Sequence, residues 1–234
     1  MKKILITGLF LLSMLQLSAQ ELAGAFKEGN DSISFAGNKV IFNLSDFSGL
    51  SNIKTGEGEF EQTGRYLLVH TNTYSGEKSS FEPSDATLKD STVIKVVSNN
   101  HYVLPGILVE LLNKSHKTIA GKVSDENGIV YVEKDPKIVH IKISALGYDE
   151  IEFPYNPQQD YLVSVVKKDI IENQTVAFKI DKPDEETLSI LLLSDEFEAK
   201  NNLEKALEKL DKRAVKNNQL PKQLKKVYIP IYYR

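Results

Sequence analysis

TVIKVVSNNHYVLPGILVELLNKSHKTIAGKVSDENGIVYVEKDPKIVHIKIS, residues 92–144, decides the fold class. Short runs of β-branched and apolar residues alternate with polar ones: Thr92–Ser98, Gly106–Leu112, Thr118–Val123, Ile129–Glu133 and Ile138–Ser144. Turn chemistry separates them at Asn99-Asn100, Pro105-Gly106, Asp125-Glu126-Asn127-Gly128 and Asp135-Pro136. Two further runs, Ile151–Phe153 and Tyr161–Val166, flank the turn at Asn156-Pro157. A period of two in short, evenly punctuated segments describes strands with one face toward a core, and seven of them predict an Ig-like seven-stranded β-sandwich over residues 92–168.

Toward the N-terminus the strands continue. Ile33 and Phe35 alternate with polar neighbours, Gly37-Asn38 supplies a turn, and Val40, Phe42 and Leu44 alternate again. This is the pattern of a β-hairpin. A Gly- and Ser-rich loop (45–58), the strand signal Glu59-Phe60-Glu61, a turn at Thr63-Gly64 and the run Tyr66-Leu67-Leu68-Val69 complete a small antiparallel β module over residues 21–82. The module resembles small lipocalin-like modules, but about 60 residues supply too few strands to close a ligand-holding barrel alone. Residues 82–91, polar and carrying Pro83, read as a linker.

Toward the C-terminus, residues 169–234 read as strand–helix–strand. Thr175–Ile180 and Leu188–Leu193 are strand-like. Leu203, Ala206, Leu207, Leu210 and Ala214 then form one apolar stripe at helical spacing, with Asn201 as N-cap. Pro221 breaks the helical pattern, and Val227–Tyr233 alternates as a terminal strand. The expectation is a mainly β chain, with residues 200–226 forming a basic amphipathic helix docked on the acidic β body and Leu203, Leu207 and Leu210 buried.

The 234 residues include no Cys, which removes disulfides, thiolate metal sites, cysteine nucleophiles and a lipid-modified cysteine. Residues 1–20, MKKILITGLFLLSMLQLSAQ, place Lys2 and Lys3 before an apolar run that ends in small residues. That order is a secretory signal peptide, too short to span a bilayer, with cleavage after Ala19 or Gln20. Its ending resembles those of exported proteins of Bacteroidetes-type bacteria. The net charge of −3 is uneven: residues 200–234 hold ten basic and three acidic residues, a net of +7, and residues 21–199 carry −12. A basic segment on an acidic body predicts attraction within the chain or contact with an anionic surface. Nucleic acid is a poor partner for an exported protein.

The order Pro105-Gly106-Ile107-Leu108-Val109-Glu110-Leu111, Asp125-Glu126-Asn127-Gly128, Ile141-Lys142-Ile143-Ser144-Ala145-Leu146-Gly147-Tyr148 resembles the carboxypeptidase regulatory-like family. About 75 residues carry the likeness; the family's opening Gly-x-Val-x-Asp turn is replaced by Val93–Asn100. The resemblance implies a seven-stranded sandwich used for stability, spacing or binding, and brings no catalytic residues.

Motifs for chemistry are sparse. His70, His101, His116 and His140 have no ligand partner three or four residues away, which argues against a zinc peptidase and for ordinary surface or edge histidines. Asp125, Asn127 and Glu133 do not fit calcium-loop spacing, so Asp125–Gly128 reads as a turn. Ser48-Gly49 and Ser75-Gly76 lack the second glycine of a nucleophile elbow, and Gly56-Glu57-Gly58 lacks the rest of a phosphate loop and reads as turn glycines. Tyr228, Tyr232 and Tyr233, beside Lys225, Lys226 and Arg234, read as an edge strand, with a sugar- or partner-contacting strip as the alternative.

No catalytic, cofactor-binding or metal residue is assigned from the sequence. The expected function is that of an exported, non-enzymatic envelope protein: a binding or scaffolding module, periplasmic, that contacts an envelope protein or glycan. The alternatives are an accessory subunit of an outer-membrane complex and a hydrolase built on scattered carboxylates.

Overall fold

The computed structural model describes residues 22–45, 52–199 and 202–228. The signal segment, Ser48-Gly49, Asn201 and the tyrosines at 232 and 233 lie outside the described residues. The chain is mainly β, as its alternation predicts. In chain order the strands are β1 (Gly24–Glu28), β2 (Asp31–Ala36), β3 (Lys39–Ser45), β4 (Ile53–Thr63) and β5 (Tyr66–Thr71). Next come β6 (Ser80–Asp85), β7 (Ser91–Ser98), β8 (Leu108–Leu112), β9 (Thr118–Val123), β10 (Ile129–Glu133), β11 (His140–Ser144), β12 (Ile151–Pro154) and β13 (Gln159–Val165). The last are β14 (Asp169–Ile170), β15 (Thr175–Asp181), β16 (Thr187–Ser194), α1 (Leu203–Lys216) and β17 (Lys222–Val227).

The hairpin read from Gly37-Asn38 is β2–β3, with Phe35 opposite Val40 and Gly37 at a φ of 60°. What the N-terminal strands do next was not legible. β5 pairs on one side with β4 and on the other with β15, placing Phe178 opposite Leu67 and Val176 opposite Val69. β15 pairs with β16, β16 with β17, and β17 with β1. The sheet therefore returns on itself as an eight-stranded antiparallel barrel, β1-β2-β3-β4-β5-β15-β16-β17, built from both ends of the chain. Eight strands enclose a space that side chains can fill. Here Phe26, Ile33, Phe42, Leu44, Leu67, Phe178, Leu188, Ile190 and Leu224 fill it, with Phe42 and Phe178 edge to face at 5.3 Å. The interior is a packed core.

Gly56 and Gly58 lie inside β4, not in a turn. β4 spends its first half beside β14 and its second beside β5, so it must bend sharply where the barrel closes. A Cβ on Gly58 would stand 2.0 Å from the carbonyl oxygen of His70, and one on Gly56 would meet the Phe42 ring at 2.8 Å. Glycine within a strand marks such a corner.

Between β5 and β14 the chain builds the sandwich. One sheet runs β10-β7-β13-β6, with β7 and β13 parallel, and the other runs β12-β11-β8-β9, wholly antiparallel. All seven strands read from the alternation are present. The eighth, β6, runs through the start of the stretch read as a linker. All six of its residues are exposed, so it has no apolar period, and Pro83 is tolerated because an edge strand can forgo an N–H. Phe81 nevertheless stacks on Phe153 at 4.3 Å. Buried Asp160 on β13 ties the loop after β6 to β7: it accepts from Val93 N, Thr87 N and Thr87 Oγ1 at 2.7–2.8 Å. Burial disfavours its charge, but these hydrogen bonds outweigh that and hold its pKa below the ordinary aspartate value.

The helix docks as its stripe predicts but stops at Lys216, so residues 222–227 are strand rather than helix, and the N-cap is Asn202, whose side chain accepts from Lys205 N. Leu207 and Ala214 are buried, while Leu203 and Leu210 are only half-covered. Leu207 packs with Tyr66, Leu68 and Ala177 on the outer wall, so β5 is apolar on both faces. The charge pattern at this contact runs opposite to expectation. Asp211, 5% exposed, enters the interface and receives Arg65 Nη2 at 2.6 Å and Lys179 Nζ at 2.9 Å. The expected attraction occurs further along, where Lys222 Nζ meets Asp31 at 2.9 Å.

Three outcomes are expected. Gly58→Ala should lower the melting temperature by opening the β4–β5 seam, whereas Gly64→Ala, with open space beyond its Cα, should cost about 1 kcal/mol. Leu207→Ala should cost about 2–5 kcal/mol and Asp211→Asn about 1–2, by chemical denaturation. Asp160→Asn should destabilise the sandwich by about 1–3 kcal/mol at neutral pH. Because the folded pKa lies below the unfolded one, this stabilisation is complete above about pH 3.9 and fades as pH falls through the folded value; titrating stability against pH should show wild type and variant converging there.

Candidate functional site

The motifs singled out in the sequence resolve mostly into structure. Asp125 Oδ1 accepts from Asn127 N and Ile129 N, and Gly128 sits at a φ of 71°, so Asp125–Gly128 is the turn expected. Gly106 and Gly147, the other glycines of the family-like pattern, also take positive φ. Gly147 has a further reason to be glycine, since a Cβ there would stand 2.4 Å from the Asn52 side chain at the start of the barrel's β4. Ser75 binds Glu57 through both N and Oγ. Tyr228 donates its hydroxyl to Glu186. His70 lies beside Thr175 at the barrel wall, and His101 occupies a tight turn after β7 at a φ of 62°.

Two histidines do more. His140 opens β11, opposite Leu112 of β8 and Pro154 of β12. Glu152 stands on β12 opposite Lys142, so His140 and Glu152 share the outer face of the sheet, while Ile141, Ile143 and Phe153 point into the core. His116 comes from the β8–β9 turn. Asn113 builds that turn: its side chain accepts from Ser115 N and Lys117 N, and its carbonyl from His116 N. His116 is thereby held at a φ of 55°, a conformation that histidine visits more readily than most residues. Its ring lies over that of His140 at 4.4 Å, tilted by 20°, and its Nδ1 is 2.6 Å from Glu152 Oε1. Nδ1 of His140 is buried and, among the described residues, has no hydrogen-bond partner. One donor atom from each of the three residues lies within 4.8 Å of the others.

Sequence spacing missed this group because its members are 24 and 12 residues apart. Metal motifs are sought at helical spacing, whereas strand pairing sets this proximity. The available signal was positional: counting alternately outward from Ile141 and Phe153 puts His140 and Glu152 on one face.

A second surface lies at the other edge of the same sheet. Among the described residues β9 pairs only with β8, and it carries exposed Ile119 and Val123, 42% and 60% accessible. Beside it, a groove of about 430 Å³ runs between β9 and β10, lined by Leu111, Ile119, Ala120, Glu133 and Ile138 and bridged by Lys122 Nζ donating to Tyr131 O.

Comparisons with known proteins give no family. No family model and no curated protein matches the chain. Among solved structures, it is similar to native alpha-2-macroglobulin from Escherichia coli spanning domains MG0-NIE-MG1, at 16% identity and a TM-score of 0.30, over 58% of this chain and 60% of that one. It is also similar to a Streptococcal ancillary pilin at 10% identity and a TM-score of 0.27, over 80% and 81%. The chain thus spans about 60% of the macroglobulin fragment's length.

Proposed function

We propose that this protein is an exported, non-enzymatic binding or scaffolding module of the cell envelope, in which the barrel is the mount and a carboxypeptidase regulatory-like sandwich is the presented unit. One observation carries the reading: the sandwich is inserted whole between two strands of a filled barrel, and its β9 edge is unpaired among the described residues, beside a groove lined by apolar and charged side chains in equal number. An exposed edge offers a row of backbone donors and acceptors to an extended segment of another chain, and alternate side-chain pockets give selectivity. The partner of this reading is a periplasmic or outer-membrane protein that adds a strand to β9. A glycan is the other occupant to be distinguished. The accessory-subunit alternative loses the helix as a free docking arm, since Leu207 is wholly buried against the barrel. Among the described residues no helix is long and apolar enough to cross a membrane.

Chemical cross-linking in intact cells, followed by identification of the attached peptides, tests the reading. Cross-links from Lys122 to one stoichiometric protein are expected. They should disappear in an Ile119→Asp, Val123→Asp variant whose melting temperature is unchanged, because both side chains are exposed. N-terminal sequencing should find the chain cut after Ala19 or Gln20 in the periplasmic fraction. Retention of Met1 in cytoplasmic material would overturn export, and turnover of glycans or peptides would favour the hydrolase alternative.

A further inference from the structure

We propose that His116, His140 and Glu152 form a binding site for a divalent transition metal of the zinc class on the outer face of the sandwich. Two imidazoles and one carboxylate are the donor set that zinc accepts with three protein ligands, the fourth position falling to water or an incoming group. The three donors come from separate elements: the β8–β9 turn, the first residue of β11 and the middle of β12. They already lie within 4.8 Å of one another. Zinc bound at about 2.0–2.1 Å to nitrogen draws its donors to roughly 3.3 Å apart. The change needed is a turn of the His116 ring out of its stack on His140 and release of its 2.6 Å contact with Glu152; both side chains reach solvent, at 59% and 34% exposure.

The second observation is the buried Nδ1 of His140, which has no hydrogen-bond partner among the described residues. A buried polar atom of this kind is costly and uncommon, and an ion is one of the few occupants that satisfies it. The turn supplies a third. Asn113 spends its side chain and its carbonyl on fixing His116 in left-handed backbone, which sets the imidazole over its partner. On the same sheet surface Lys142 lies between Glu110 and Glu152 and pairs with Glu150 at 2.7 Å. Nitrogen donors select against magnesium and calcium, which take oxygen ligands. The site is independent of the β9 edge and does not rest on the proposed binding function.

Titration of the untagged chain with Co²⁺ and then Zn²⁺ tests the site. One equivalent of Co²⁺ should give the visible absorption of low-coordinate cobalt, and Zn²⁺ should displace it. A hundredfold excess of Zn²⁺ over its Kd should raise the melting temperature by about 5 °C or more, and Mg²⁺ should not. His116→Asn keeps a residue that tolerates the left-handed turn, and Glu152→Gln alters an exposed carboxylate. Each should weaken zinc binding at least tenfold while leaving metal-free melting unchanged. Saturable zinc binding of equal strength in both variants, no saturable binding in wild type, or an equal response to Mg²⁺ would overturn the proposal.

Discussion

The seam between β5 and its two neighbours is the constraint on which the rest depends. A sheet that leaves an edge open leaves a row of backbone N–H and C=O groups without partners, and closure is the only arrangement that removes edges altogether. β1 to β4 cannot close alone, so the chain must bring β15, β16 and β17 back from beyond the sandwich. Closure also needs β4 to turn more sharply than a side chain permits, which is why Gly58 faces the His70 carbonyl without a Cβ. The insertion enters and leaves at this same seam. Thr71 N and Oγ1 both donate to Gln174 O, and Gln174 N donates back to Thr71 Oγ1, so the two passes of the chain are stitched where the sandwich begins. Beyond them, Glu172 accepts from Tyr74 N and Lys78 Nζ.

The outer wall of β5 and β15 is apolar and needs cover, and α1 supplies it. Leu207, with half-covered Leu203 packed beside it, does most of the holding, in keeping with the larger free energy of apolar burial over exposed charge pairs. Charge has a different role. Burying Asp211 without Arg65 and Lys179 would leave an uncompensated carboxylate, so the helix has one favourable rotation and one favourable height on the barrel.

What was legible in the sequence was local. Alternation in β2, β3 and β7 to β13, the turn glycines, and the stripe of α1 are all properties of a dozen residues or fewer. What was not legible was either non-local or without apolar signal. The β1–β17 pairing joins residues at opposite ends of the chain, as with Ala25 and Val227. β6 reads as linker because an exposed edge strand has no face to bury. Asp211 looks like a member of a solvated helix face until the partners on β15 and beside β5 are known. The grouping of His116, His140 and Glu152 needed the register of three strands and a turn.

The adjacency of entry and exit has a mechanical consequence. Ser80 on β6 lies opposite Ser164 on β13, and β1 lies directly against β17. Tension pulling the two ends of the chain apart acts first on the few β1–β17 ladder bonds, which break in succession like the teeth of a zip. The sandwich sits outside that line of force. It feels no load until the barrel has opened as far as β5, so the sandwich is the last unit to yield.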